Sequence, residues 1–142
     1  MIRELRKEEA NEIMRIWQEA TIKAHQFIRE SYWMESCGVV RDYYTSDAKT
    51  FVYEDDGIIK GFISINNDGF LNGIFVDVKY QGESLGKGLM NHAKKNYDEL
   101  RLKVYEENLK AVGFYKRTGF KIEGKQLNED TDKVELIMKW VK

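Results

Sequence analysis

The sequence predicts a mixed α/β (α+β) domain. Short β-branched runs are separated by turn residues, apolar residues recur at helical spacing between those runs, and one glycine-bearing turn joins a strand directly to a helix. Proline is absent from the 142 residues, so glycine and aspartate supply the punctuation.

Taken in order, Met1–Leu5 reads as a short strand. Ile13, Ile16, Trp17, Ala20 and Ala24 then fall on one face of an amphipathic helix over residues 7–24. Residues 26–45, rich in aromatics (Phe27, Tyr32, Trp33, Tyr43, Tyr44), predict a less regular helical segment. Thr50–Glu54 and Ile58–Asn66 flank Asp55-Asp56-Gly57, a strong hairpin signal. A strand at Phe70–Asp77 leads through a glycine-bearing loop to a helix carrying Leu85, Leu89, Ala93, Tyr97 and Leu100. Arg101–Tyr105 predicts a strand and Asn108–Thr118 a short helix stopped by Gly119. Phe120–Lys125 and Val134–Trp140 close the chain as strands.

Composition excludes several classes of function. With 42% hydrophobic and 13% aromatic residues the chain can bury a core, and its length suits a single domain over residues 1–142. A net charge of −1 with mixed signs gives no field for a nucleic acid, and no apolar run is long enough to span a bilayer. The lone Cys37 excludes an internal disulfide. The expectation is a cytoplasmic protein, monomeric or homodimeric, with no metal, nucleic-acid or membrane partner.

The segment Gln81-Gly82-Glu83-Ser84-Leu85-Gly86-Lys87 carries the chemistry. Where a strand feeds a helix through glycines, backbone N–H groups are left unpaired and the helix dipole adds positive potential, so a phosphate ligand fits. The spacing is one residue short of a P-loop and lacks the Ser or Thr after the lysine. It also fails the G-x-G-x-x-G pattern of dinucleotide folds, so another diphosphate ligand is expected.

Val76-Asp77-Val78-Lys79-Tyr80-Gln81-Gly82-Glu83-Ser84-Leu85-Gly86 resembles the acyl-CoA motif of the GNAT superfamily, Q-x-x-G-x-G, with Ser84 where the first glycine usually stands. Serine there is expected to serve through its N–H alone, without a positive φ. Downstream, Asn108-Leu109-Lys110-Ala111-Val112-Gly113-Phe114-Tyr115-Lys116-Arg117-Thr118-Gly119-Phe120 resembles the N-x-x-A-x-x-F-Y-x-x-x-G-F signature that ends such domains. Ile16-Trp17 with Ala24-His25-Gln26-Phe27-Ile28 is similar to the small bacterial YjaB-like branch.

The resemblance implies a mixed, mostly antiparallel sheet of roughly six or seven strands flanked by about four helices, with splayed central strands. It further implies an acetyl-CoA-dependent N-acetyltransferase acting on an amine of a small molecule or peptide by direct attack in a ternary complex. The cofactor would lie along Ile74, Phe75 and Val76, with its diphosphate on residues 81–87, and would meet Asn108, Phe114 and Arg117. Tyr115 would donate to the departing sulfur. A phenol near pKa 10 gives its proton reluctantly to a thiolate near about 8.5, so a strong hydrogen bond is the expected contribution.

An amine of pKa near about 10.4 must also lose a proton at neutral pH. Glu106, Glu107 and His25 are the candidate bases, and His25, Phe27 and Tyr32 the candidate acceptor contacts. Asn108 doubles as a helix N-cap. His92 reads as a solvated or groove-lining side chain, Cys37 as packing, and Asn128-Glu129-Asp130-Thr131-Asp132 as a hairpin turn that could attract an amine. The competing readings are a non-catalytic acyl-CoA-binding regulatory module and a different acyl donor such as succinyl-CoA.

Overall fold

A computed structural model describes residues Met1–Lys142. Strand β1 (Ile2–Glu4) leads through a 3-10 turn (Lys7–Glu9) into α1 (Ala10–Ala24) and α2 (Glu30–Asp42), which ends in a π-helical turn (Tyr43–Asp47). Strands β2 (Lys49–Asp55), β3 (Ile58–Ile65) and β4 (Leu71–Val76) precede α3 (Leu85–Asn96). Then come β5 (Glu99–Tyr105), α4 (Leu109–Arg117), β6 (Lys121–Asn128) and β7 (Lys133–Val141).

The strands form two antiparallel sheets, ordered β1-β2-β3-β4 and β5-β7-β6. As the hairpin signal requires, Asp56 and Gly57 turn at φ 51° and 76°, the left-handed region that short aspartate and glycine side chains tolerate. Strand alternation then sorts side chains between the faces. Phe62 and Val52 join Ile13, Ile16 and Trp17 of α1 on one side, while Ile63 and Ile65 join Leu89, Met90 and Ala93 of α3 on the other. Each such buried Val, Ile, Leu, Met or Phe side chain contributes about 1.5–3 kcal/mol.

Two sequence expectations need correction. Tyr97 and Leu100 do not continue α3, which ends at Asn96; Tyr97 has extended backbone and Leu100 is a fully buried residue of β5. Their spacing mimics a helical repeat across a turn, because both ends of that turn bury an apolar side chain. The helix expected over 7–24 opens as a 3-10 turn. There Arg3 holds Glu9 at 2.6 Å and Glu54 at 2.7 Å, fastening the turn to β1 and β2.

Candidate active site

The two sheets meet at one end only. Phe70 and Arg101 form an isolated parallel bridge, and Arg101 N–H donates to Gly69 O at 3.0 Å. Past that point β4 pairs with β3 alone and β5 with β7 alone, leaving a splayed gap between β4 and β5. Asp77 N–H donates to Lys60 O at 2.8 Å on the β3 side. Antiparallel alternation therefore turns the backbone groups of Ile74 and Val76 toward the gap and those of Phe75 toward β3.

At the mouth of the gap, no backbone N–H from Gly82 through Lys87 donates to another backbone group. Gly82 sits at φ 90° and Ser84 at φ 64°, ψ 19°. Ser84 is thus left-handed, contrary to the expectation that it would only lend an N–H. The αL residue that launches α3 costs a serine about 1–2 kcal/mol more than a glycine. Leu85 buries its side chain in the core and leaves only its N–H to the loop, while Glu83 and Lys87 are exposed. A Cβ on Gly86 would stand 3.5 Å from the Phe114 ring and 3.9 Å from Val76, so β4, α3 and α4 converge here. A row of free N–H donors at a helix start, with the backbone opened by a left-handed turn, fits a diphosphate.

Buried charge fixes this loop to the body of the protein. Asp77, 2% exposed, accepts from Lys79 N–H at 3.0 Å and from Arg15 of α1 at 2.7 Å. Burial opposes its ionisation, but the Arg15 and Lys79 donors outweigh it and hold its pKa below the usual carboxylate value. Gln81 turns its side-chain amide back onto Val76 O at 3.1 Å, tying the loop to the strand edge.

Deeper in, Tyr115 packs between Phe114 and Phe120 in the core cluster of Leu102 and Val104. Burial alone raises its pKa, so the phenol stays protonated and can donate. Asn108 caps α4, its Oδ1 accepting from Ala111 N–H at 3.3 Å, and its Nδ2 lies 3.2 Å from His25 Nε2. Thr21 O lies 2.8 Å from His25 Nδ1. A carbonyl can only accept, so the proton is on Nδ1 and the Nε2 lone pair faces Asn108. Phe27, Trp33 and Tyr105 wall the imidazole at 5.1–5.6 Å. Burial lowers the His25 pKa, opposed only by the Thr21 hydrogen bond.

The structure thus brings His25, Phe27 and Asn108 together, and Gly86 to Phe114. It does not bring Glu106 or Glu107 to them: Glu106 pairs with Lys125 at 2.7 Å and Glu107 with Lys133 at 3.6 Å, both half exposed. Arg117 folds back along α4, its guanidinium 3.0 Å from where a Gly113 Cβ would stand. Tyr32 lines a cleft of about 220 Å³ with Phe27, Ile28, Arg29, Asp130 and Thr131. Of the two expectations for His92, the solvated one is corrected: the ring packs on Phe51 at 4.8 Å with Nε2 buried and unpartnered. Cys37 packs beside the α1 cluster, as expected.

Sequence reasoning passed over Tyr105, whose hydroxyl meets Asn128 Nδ2 at 3.2 Å and anchors the β6–β7 turn to the aromatic cluster. It also passed over Arg15 and Thr21. No local pattern marks Tyr105 or Arg15, because each acts on a partner from another element, while Thr21 acts through its backbone carbonyl at the end of α1, which no side-chain pattern records.

Comparison with known proteins agrees with this geometry. The chain is 36% identical over 140 residues to the peptidyl-lysine N-acetyltransferase YiaC of Escherichia coli K12, covering 99% of this chain and 96% of that one. The solution structure of apo-form YjaB from Escherichia coli superposes with a TM-score of 0.86 at 29% identity, over 99% and 97% of the two chains. The PaiA N-acetyltransferase of Thermoplasma acidophilum, solved in complex with coenzyme A, gives 0.79 at 25% identity, over 100% and 98%. No helix is long and apolar enough to cross a membrane. The fold is thus shared with a protein solved with coenzyme A bound. Residues 7–134 match the acetyltransferase (GNAT) domain, and the chain belongs to that family as an acetyl-CoA-dependent N-acetyltransferase.

Proposed function

We propose that the acceptor is the ε-amine of a lysine in a protein or peptide, attacked directly within a ternary complex on the single domain of residues 1–142. The observation that carries this reading is the cleft of Phe27, Tyr32 and Asp130, which shares Phe27 with the His25 cluster. Aromatic faces accommodate an alkyl stem and a cation together, and an exposed carboxylate attracts the ammonium. The likeness to YiaC, a peptidyl-lysine N-acetyltransferase, supports the same acceptor class.

Acetyl-CoA supplies an acetyl thioester when bound. Loop amides from Gly82 to Lys87 would hold the diphosphate, while the backbone of Ile74 and Val76 would orient the arm. Asn108 and Phe114 would meet that arm, and Arg117 would approach it from α4. His25 is the proton acceptor: its Nδ1–H is held by Thr21, so Nε2 is the atom that takes a proton. Tyr115, kept neutral by burial, would donate a hydrogen bond to the departing sulfur. Glu106, engaged with Lys125, contributes to the surface rather than to the proton path.

Thiol release from acetyl-CoA, measured against lysine peptides, peptide N-termini and polyamines, tests the proposal. Lysine peptides are expected to turn over fastest, each gaining one acetyl group on the side chain. Preference for an N-terminal amine or a polyamine rejects the acceptor assignment. CoA binding without thiol release for any amine favours the non-catalytic module.

A further inference from the structure

The contact between His25 and Asn108 joins residues 83 positions apart in sequence, and its geometry fixes how both can be used. The Ala111 N–H at the start of α4 needs an acceptor, so Asn108 must present Oδ1 to it and its NH₂ to His25. His25 in turn must keep its proton on Nδ1 for Thr21 O and accept at Nε2. Each assignment enforces the other, so the helix cap and the neutral imidazole are one hydrogen-bonded unit. The same NH₂ is the group that Asn108 would offer to the pantetheine arm, and Nε2 is the atom that must take the acceptor's proton.

We infer that Asn108 is a positioning residue that covers the His25 lone pair until the cofactor arm draws its amide away, so the base becomes competent only after acetyl-CoA has bound. This rests on the proposed assignment of His25 and Asn108. Both Asn108 contacts, 3.2 Å and 3.3 Å, lie at the long end of the hydrogen-bond range, which suits exchange of partners. Once Nε2 is uncovered, a proton passes from the acceptor ammonium to it; the acceptor N–H bond breaks, leaving a neutral amine and an imidazolium. Phe27, Trp33 and Tyr105 enclose the ring, and Tyr105 is the only titratable group among them. Burial raises its pKa first, with the charges of Glu135 and Asp130 adding to that, so it carries no competing charge at neutral pH. Acetyl-CoA therefore binds before the amine is activated.

A donor on Nε2 favours the neutral ring and depresses its pKa, so losing that donor must raise it. The test follows the His25 ring nitrogens of the full chain by NMR through a pH titration, with and without coenzyme A. In the wild-type protein, saturation with coenzyme A is expected to raise the His25 pKa by about one pH unit. Asn108→Ser retains a good N-cap but removes the reach to His25. Its free protein should already titrate at the raised value, with coenzyme A adding nothing. Asn108→Asp, also a strong cap, should raise the pKa further through its charge.

Two results overturn the inference while leaving the acetyltransferase site intact. In one, coenzyme A shifts the amides of Gly82–Lys87 but not the His25 pKa. In the other, both Asn108 variants titrate as the wild type does without coenzyme A. Should coenzyme A shift no loop amide at all, the cofactor site fails, and the trigger with it.

Discussion

The loop from Gln81 to Lys87 and the cluster around His25 are made of different parts. The loop works through main-chain N–H groups, and its shape depends on the dihedrals of Gly82 and Ser84. The His25 cluster works through side chains gathered from α1, the segment before α2, β5 and α4, and depends on which ring or amide stands opposite which. A backbone site tolerates a change of side chain but not of φ. A side-chain site tolerates neither loss nor rotation of its parts. The ligand matches this division, since every acyl-CoA presents the same diphosphate while acceptors differ.

Substitutions should break the two regions in different ways. Tyr115→Phe removes the hydroxyl proposed to donate to the departing sulfur. Turnover should fall about 10- to 1000-fold with CoA affinity nearly unchanged, and equal turnover in steady-state kinetics would take Tyr115 out of the mechanism. Gly82→Val strains the loop at φ 90°, although its Cβ would meet no other atom within 4 Å. Calorimetry should show CoA binding weakened by about 10- to 100-fold, corresponding to roughly 1–3 kcal/mol of strain, with the fold retained.

Asp77→Asn tests the anchor beneath the loop. Loss of its ionic partner on Arg15 should cost about 2 kcal/mol in urea unfolding. The pH dependence has a definite sign. Because the folded-state pKa of Asp77 lies below its unfolded value, its contribution is fully present above about pH 4. It disappears as pH falls through the folded value, so the wild type should lose its advantage over Asp77→Asn only in acid. The smallest effect should come from Ser84→Gly, which relieves the left-handed residue and should stabilise the fold by about 1 kcal/mol while CoA still binds. A destabilised Ser84→Gly would mean that the hydroxyl does more than the backbone argument allows.

What could be read from the sequence follows the same division. The Asp56-Gly57 hairpin, the amide loop and the capped helix α4 are local, each written in a few adjacent residues, and each was legible. The left-handed Ser84 was not, because serine gives no sign of positive φ and the family pattern fixes only a residue type. Leu100 was read into a helix because its spacing from Ala93 and Tyr97 is helical, whereas strand pairing with Trp140 decided its state. His25 could be nominated by its chemistry, but its tautomer is fixed by the carbonyl of Thr21 one turn earlier and its Nε2 is met by Asn108, a contact that depends on tertiary packing alone.

The single bridge between Phe70 and Arg101 has a thermodynamic consequence. Two half-sheets touching at one end are a structure with an unfilled strand position, so any ligand that runs along β4 also completes the fold. Binding the native state alone adds about 2.7 kcal/mol when the ligand stands at a hundred times its dissociation constant. The protein's resistance to unfolding and proteolysis should therefore rise and fall with the acyl-CoA supply of the cell.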